Sequence, residues 1–286
     1  MTNRLRPLLA RYAAQLAAAG IEQAEAELEW IFEHVLGVDR LRLYLEGDDL
    51  LTDAAAAQAD AIVQRRLTRH PLQFILGEAW FYGRKFSVSE AVMAPTPETE
   101  LLVETAVRSV GSRGLAAPRV LDVGVGSGVI AVTLALELPA CRVTAVDISA
   151  EALAVARQNA AAHGVRDRVD LRVSDFFSAV AADERFDLIV SNPPYIAEPD
   201  YAGLAPEVRA DPKIAMTAGP EGLDAIRVLV QEAPAHLVPG GRLMFEIGHD
   251  QADKVAALTA RDPRYRTFVL LRDLNDRDRV IILGGD

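Results

Sequence analysis

The chain has 286 residues, half of them apolar and a quarter charged, with 19 glycines and 15 prolines; at roughly 150 residues per domain this is length for about two domains, and it excludes disordered, collagenous and disulfide-framework proteins. Thirty lysines and arginines face 41 acidic residues, a formal charge of −11. The acidic excess is spread, with 10 basic and 13 acidic side chains in residues 1–90 and 20 and 28 in residues 91–286, so neither part is a basic module held to nucleic acid by phosphate neutralisation.

From the N-terminus, apolar residues fall at helical spacing: Leu5, Leu8, Leu9, Tyr12 and Leu16, then Ala24, Leu28, Ile31, Phe32 and Val35. Gly20 and Gly37 follow these runs where helix-ending glycines belong. Arg11 and Gln15 interrupt the first run, which therefore reads as an amphipathic helix and not as a signal peptide. A third helix is expected from a Thr52 N-cap to Arg69, stopped by His70-Pro71. Residues 1–75 thus read as a helical domain. Two strand-like runs, 80–83 and 85–88, predict a β-hairpin over 76–93 that links it to the next domain, with Trp80, Phe81 and Tyr82 as its packing residues. A helix with Pro97 in its first position and Glu98 and Glu100 in its first turn, where the helix dipole favours negative charge, then opens a second domain over 94–286.

Beyond residue 118 strand-like and helix-like segments alternate. Strands are expected over 119–125, 142–146, 169–173, 186–191, 242–247, 267–271 and 280–283, with helical stretches between the first five, clearest over 149–163 and 223–237. This alternation implies a mostly parallel sheet with helices on both faces. The segment 272–279 is too short for a crossover and implies an antiparallel hairpin at the sheet edge. Cys141, the only cysteine, reads as a core thiol; it excludes an intrachain disulfide and a multi-cysteine zinc site and fits a reducing cytosol, so a cytoplasmic location is expected. The longest apolar run, 129–136, is well short of the ~18–20 residues that span a bilayer. The five histidines have no ligand spacing, and no metal site is expected.

The first of these strands runs into Asp122-Val123-Gly124-Val125-Gly126-Ser127-Gly128 and a helix. Three glycines at alternate positions let the backbone approach a ligand at the helix N-terminus, whereas a bare strand-to-helix turn needs only one. The spacing is G-x-G-x-G and not the dinucleotide G-x-G-x-x-G, and no Lys-Ser/Thr pair makes a phosphate loop, which weakens NAD and ATP readings. Asp147, 19 residues after Gly128, is placed to accept hydrogen bonds from a ribose, to cap the next helix beside Ser149, or both. A ribose without a pyrophosphate suggests S-adenosylmethionine. Asp175 and Phe176, after the third strand, can hydrogen-bond and stack an adenine, the plain alternative being a polar loop with a buried phenylalanine.

The sharpest signal is Asn192-Pro193-Pro194-Tyr195 at the end of an apolar strand. Each proline ring fixes φ and removes a competing N–H. The Asn192 side-chain oxygen and the Pro193 carbonyl can accept the two hydrogens of a planar NH₂ group, and Tyr195 can cover its face. The lone pair of such a nitrogen is delocalised, the related peptide rotation barrier being ~18–20 kcal/mol. Two acceptors that polarise the N–H bonds and aim the nitrogen at a methyl carbon then supply orientation, for which effective molarities of about 10⁵–10⁸ M are available. The loop 195–222, with Pro199, Pro206, Pro212 and Pro220, is expected to wall the substrate channel. Glu246 and Asp250 read either as a carboxylate pair or, preferably, as strand-end hydrogen-bonding groups.

These motifs resemble those of the bacterial release factor glutamine methyltransferases, within the class I S-adenosylmethionine-dependent methyltransferases. The resemblance runs over nearly the whole chain, through segments 73–77, 97–104, 121–128, 174–177, 186–196, 246–248 with Gln251, and 273–280. It implies an α/β fold: a seven-stranded Rossmann-like methyltransferase sheet with an N-terminal all-α domain joined by a β-hairpin. It further implies methyl transfer to the side-chain amide of the glutamine in the Gly-Gly-Gln loop of class I peptide chain release factors, with the helical domain docking that partner. The cofactor would be held by Asp122, Gly124, Val125, Gly126, Ser127, Gly128, Asp147, Asp175, Phe176 and Asn192, and the glutamine by Asn192, Pro193, Pro194 and Tyr195. Two positions depart from the family pattern, Thr96 where arginine is usual and Phe176 where tryptophan is frequent. Asn-Pro-Pro-Tyr alone also suits an adenine-N6 methyltransferase acting on DNA or RNA, but such an enzyme extrudes a base and binds a polyanion, which the acidic charge of both parts disfavours. An intact Asn-Pro-Pro-Tyr segment argues against a non-catalytic translation-factor binding protein.

Overall fold

The computed structural model describes residues 4–285, which divide into two compact units: a helical unit up to residue 78 joined by residues 205–210, and a sheet unit made of 79–204 and 211 onward. The helical unit contains α1 (Leu5–Ala18), α2 (Ala24–Leu36), α3 (Arg40–Leu50), α4 (Asp53–Leu67) and α5 (Leu72–Leu76). The apolar spacing of α1, α2 and α4 converges on one core in which Tyr12, Leu16, Leu28, Ile31, Phe32, Ala59 and Val63 are almost wholly buried. The Thr52 hydroxyl caps α4 as expected, accepting from the Ala55 N–H at 3.1 Å. Helix α3 was not expected, because it buries Leu43 while leaving Leu41, Tyr44 and Leu45 exposed, so its sequence carries no continuous apolar stripe.

Residues 205–210 join this unit through ion pairing. Arg66, 4 % exposed, donates to Glu27 at 2.7 and 3.1 Å and to Glu207 at 3.0 Å, and Arg69 donates to Glu207 at 2.8 Å. Burial alone would raise the Glu207 carboxyl; the two guanidiniums reverse this and hold it at about 2.

The sheet unit begins with the hairpin β1 (Glu78–Phe81) and β2 (Arg84–Ser87) and continues through α6 (Glu98–Ser112), β3 (Arg119–Val123), α7 (Val129–Glu137), β4 (Arg142–Asp147), α8 (Ala150–Ala162), β5 (Val169–Val173) and β6 (Phe186–Ser191). After a long connection holding α9 (Lys213–Met216) come α10 (Asp224–Glu232), β7 (Leu237–Glu246), α11 (Ala252–Thr259), β8 (Thr267–Arg272) and β9 (Asp278–Gly284). The seven-stranded sheet has the order β5-β4-β3-β6-β7-β9-β8. The first five strands are parallel and the last two antiparallel, as the short 272–279 segment requires. Side-chain alternation sends Val120, Leu188, Val190 and Met244 to the core under α6, α7 and α8, and Leu121, Ile189, Leu243 and Phe245 to the core under α10 and α11.

The hairpin packs through Phe81, as expected, and through Phe86, the two rings meeting edge-on at 6.2 Å inside the first of those cores, whereas Trp80 is half exposed. Asn159 of α8 ties the hairpin down by accepting from the Ser87 N–H at 2.8 Å and donating to the Ser87 and Ser127 carbonyls at 2.9 and 2.8 Å. Between β5 and β6, against expectation, there are turns and no helix. The Ser174 hydroxyl donates to the Phe176 carbonyl at 2.7 Å and accepts from the Ala179 N–H at 2.9 Å, local bonds that compete with helix formation. No helix among the described residues is long and apolar enough to cross a membrane.

Candidate active site at the carboxyl ends of β3, β4, β5 and β6

An open parallel sheet places ligands beyond the carboxyl ends of its strands, and here those ends open on a cavity of about 610 Å³, within the 300–1,000 Å³ usual for small-molecule sites. Beyond β3 the chain adopts positive φ at Gly124 (+80°), Gly126 (+52°) and Gly128 (+85°), a region costly for residues with a Cβ. A Cβ at Gly124 or Gly126 would meet no protein atom within 4 Å, and both glycines line the cavity, so their lack of a side chain leaves room for a ligand. Gly128 serves packing instead: a Cβ there would lie 3.1 Å from Ala156 of α8.

The turn is held by β4. Val146 O accepts from the Gly124 and Val125 N–H groups at 2.9 and 3.0 Å. The Asp147 carboxylate accepts from the Gly126 N–H at 2.9 Å with one oxygen and from the Ser149 N–H at 2.9 Å with the other. Ser149 in turn caps α8 at Ala152. Asp147 thus fixes the glycine turn and the helix entry together while its carboxylate lines the cavity. Asp175 and Phe176 line the same cavity, Phe176 in a left-handed conformation (φ +46°) unusual for an aromatic residue. Glu90, Asp147, Glu151, Asp175 and Asp224 are among the residues that line it, and no basic residue is among the described lining residues. This acidic wall, which the sequence reading missed, favours a cationic ligand and opposes a pyrophosphate.

Asn192, Pro193 and Pro194, at the end of β6, line the same cavity. The Asn192 Nδ2 donates to Thr99 Oγ1 at 3.0 Å, and the Thr99 hydroxyl donates to Glu246 Oε2 at 2.8 Å. The Tyr195 hydroxyl donates to Glu246 Oε1 at 3.3 Å and is turned away from the cavity lining. Gln251 Nε2 ties the motif's backbone to the next turn, donating to the Tyr195 carbonyl at 2.9 Å and the Gly222 carbonyl at 3.1 Å. A parallel bridge between Ile196 and Thr217 returns the long loop, and Pro212, Ala215, Thr217 and Ala218 line the cavity.

Two buried carboxyls flank these features. Burial raises Glu246 to about 7, against the Thr99 hydrogen bond, the Arg279 charge 3.9 Å away and the Tyr195 hydrogen bond. Burial and the Glu246 charge raise the Tyr195 hydroxyl, which stays a donor. Asp122, wholly buried beneath the glycine turn and not part of the cavity lining, is also raised to about 7 by burial, with the Asp147 charge adding to the shift. Neither of its oxygens meets hydrogen-bond geometry with a described residue, although the Ala131 backbone N–H is near enough to favour the ionised form. Of the sequence-expected residues, then, Gly124 to Ser127, Asp147, Asp175, Phe176 and Asn192 to Pro194 converge on one cavity, whereas Asp122, Gly128 and Tyr195 lie behind it. Thr99 and Glu246 sat in segments quoted for the resemblance, but their pairing across 147 positions has no local signature. Among the described residues no group of three or more His, Cys, Asp or Glu side chains suits a metal.

Residues 7–77 match the family described as PrmC N-terminal domain, and residues 97–205 match the methyltransferase small domain. The release factor glutamine methyltransferase of Cereibacter sphaeroides is 47 % identical over 93 % of this chain and 93 % of its own, and that of Chlorobaculum tepidum 43 % identical over 95 % and 94 %. A methyltransferase from Pyrococcus furiosus has the same fold, with a TM-score of 0.52 at 20 % identity over 78 % of this chain and 97 % of its own. On these identities and this coverage the chain belongs to the release factor glutamine methyltransferase family.

Proposed function

We propose that the protein transfers a methyl group from S-adenosylmethionine to the side-chain amide nitrogen of the glutamine in the Gly-Gly-Gln loop of class I peptide chain release factors, in the cytoplasm. The observation that carries this reading is that one cavity is lined both by the glycine turn with Asp147 and by Asn192 and Pro193. The turn and Asp147 suit a ribonucleoside, Asp175 and Phe176 its base, and the acidic wall a positively charged sulfonium centre. Absence of lining basic groups disfavours a polyanionic nucleic acid substrate.

In this reading the chain's own residues position and polarise. Asn192 Oδ1 and the Pro193 carbonyl accept the two hydrogens of the glutamine NH₂ group and hold its nitrogen in line with the methyl carbon. Held beside Asp147, Asp175 and Phe176, S-adenosylmethionine would supply the electrophilic methyl group with its sulfur as the leaving group, and the proton that the amide nitrogen must lose would pass along the Asn192 and Pro193 carbonyl oxygens to water. No separate strong base is needed. The apolar Pro193 and Pro194 rings keep water from competing for the acceptors. The helical unit, with Leu41, Tyr44 and Leu45 exposed on α3, provides the docking surface for the release factor.

The test is mass spectrometry of a purified class I release factor after incubation with the protein and S-adenosylmethionine. One added methyl, mapped to the Gly-Gly-Gln glutamine and missing with Asn192→Ala, is the expected result. No modification under conditions where the cofactor binds would refute the assignment of substrate.

A further inference from the structure

An asparagine amide can face a site with either of two opposite ends, an acceptor oxygen or a donor NH₂ group, and the two differ by a half-turn about one torsion. Only the oxygen can accept a hydrogen from a substrate amide; the NH₂ end would meet it donor to donor. A motif built on Asn192 therefore needs something to choose the end. In this structure the choice is made by atoms outside the Asn-Pro-Pro-Tyr segment. Thr99 Oγ1 has one proton, and that proton is directed at Glu246 Oε2, 2.8 Å away. Toward Asn192 the same oxygen has only lone pairs to offer, so the group it meets at 3.0 Å must be Nδ2. Thr99 and Glu246 are almost wholly buried, 2 % and 1 % exposed, so water does not substitute for the bond between them. The Arg279 guanidinium, 3.9 Å from Glu246 and itself held by Asp273 at 3.2 Å, together with the Tyr195 hydroxyl, favours a carboxylate that accepts.

We propose that Thr99 and Glu246 are positioning residues that lock the Asn192 amide with its oxygen toward the nitrogen to be methylated. The chain of bonds Glu246–Thr99–Asn192 spans α6, β6 and β7. Donor and acceptor alternate along it without a free choice once the carboxylate is ionised. The bearing of this lock on methylation rests on the functional reading above; the lock on the amide itself does not.

The two are separated by measuring both turnover and the amide itself. Thr99→Val keeps the shape and removes the hydroxyl, whereas Thr99→Ser keeps the hydroxyl. Expected is a 10- to 100-fold fall in kcat for Thr99→Val on a class I release factor, with KM and cofactor Kd within about threefold of the parent and Thr99→Ser within about threefold in kcat, the range for losing one polar positioning contact. In parallel, protein labelled with ¹⁵N at asparagine (Asn3, Asn159, Asn192 and Asn275), assigned with Asn192→Ala, is expected to give an Asn192 NH₂ signal protected from hydrogen exchange in the parent and in Thr99→Ser and unprotected in Thr99→Val. Unchanged protection in Thr99→Val, an unchanged kcat in it, or a Thr99→Ser variant as impaired as Thr99→Val, would overturn the proposal. A parent that methylates no release factor while its Asn192 signal responds as expected would sink the functional reading and leave the lock standing.

Discussion

The ends of β3 and β6 are neighbours in one sheet, yet the sites built on them are made by opposite means. Past β3 the chain uses its backbone: glycines at positive φ, two N–H groups on the Val146 carbonyl and another on Asp147, all drawn from a stretch of about 25 residues. Past β6 it uses side chains gathered from far apart, with Thr99, Asn192, Tyr195, Glu246 and Gln251 each holding another. A backbone site tolerates changes of neighbouring side chains but not an added Cβ. A side-chain site is the reverse, tolerating isosteres that keep the donor and acceptor order.

The largest effects should fall on the β6 side for turnover and on the β3 side for binding. Asn192→Ala removes the acceptor while filling no space; kcat is expected to fall by at least about 10²–10³-fold, as for loss of one transition-state hydrogen-bonding group, with cofactor Kd within about threefold by calorimetry. A proportional loss of cofactor affinity would erase the distinction between the two ends. Gly126→Val is the converse: it places a branched side chain at φ +52° and into the cavity. A rise in cofactor Kd of at least about tenfold, or 1.4 kcal/mol, is expected. Retained affinity would mean that the glycine turn is packing alone.

The same contrast explains what could be read from the sequence. The alternation of strands and helices with its antiparallel edge hairpin, the Thr52 and Ser149 caps and the conformation of the glycine turn follow from local patterns, since period, length and glycine spacing act over a few residues. Asn192 was legible because two prolines and an aromatic beside it are costly unless used. What fixes its amide was not legible, because Thr99 and Glu246 lie 93 and 54 positions away and each is an ordinary helix or strand residue on its own. The missing helix after β5 and the extra α3 were missed for a related reason: hydroxyl-to-backbone bonds and a weak apolar stripe override simple periodicity.

A pH profile sharpens the comparison on the β6 side. Glu246 faces the Thr99 hydroxyl and the Glu98 carboxylate from α6, the Tyr195 hydroxyl, and Arg279 from β9 with its partner Asp273. Its carboxyl is raised to about 7 by burial, so it is ionised above that value and protonated below it. A protonated Glu246 can donate to Thr99, which frees the threonine proton to turn toward Asn192 and draws the amide oxygen away from the substrate. Turnover by the parent is therefore expected to fall as pH drops through about 7 and to level off about 10- to 100-fold lower, at the level of the lost lock. The acid limb should vanish from the residual activity of Thr99→Val; an identical limb in both proteins would assign it to another group.

The smallest expected effect tests the carboxyl on the backbone side. Asp122 lies under the glycine turn with no hydrogen bond of standard geometry, and burial, reinforced by the Asp147 charge, raises it to about 7. A carboxyl whose pKa is higher folded than unfolded binds more protons in the folded state, so its contribution to stability is fully present below the unfolded value near 4 and is lost as pH rises through about 7. Asp122→Asn removes that titration while leaving shape and burial alike. Whatever the amide itself costs, the melting temperature of the variant relative to the parent should climb between about pH 4 and pH 8, by about 2–4 °C for each kcal/mol in a chain of this size. Glu246 has the same direction of shift but has partners for its charge, so Glu246→Gln should lose hydrogen-bonding order above about pH 7, where Asp122→Asn gains most relative to the parent. A parallel pair of melting profiles for Asp122→Asn and the parent would mean that Asp122 is partnered when folded, and that the glycine turn, like the β6 motif, is held by a side chain from below.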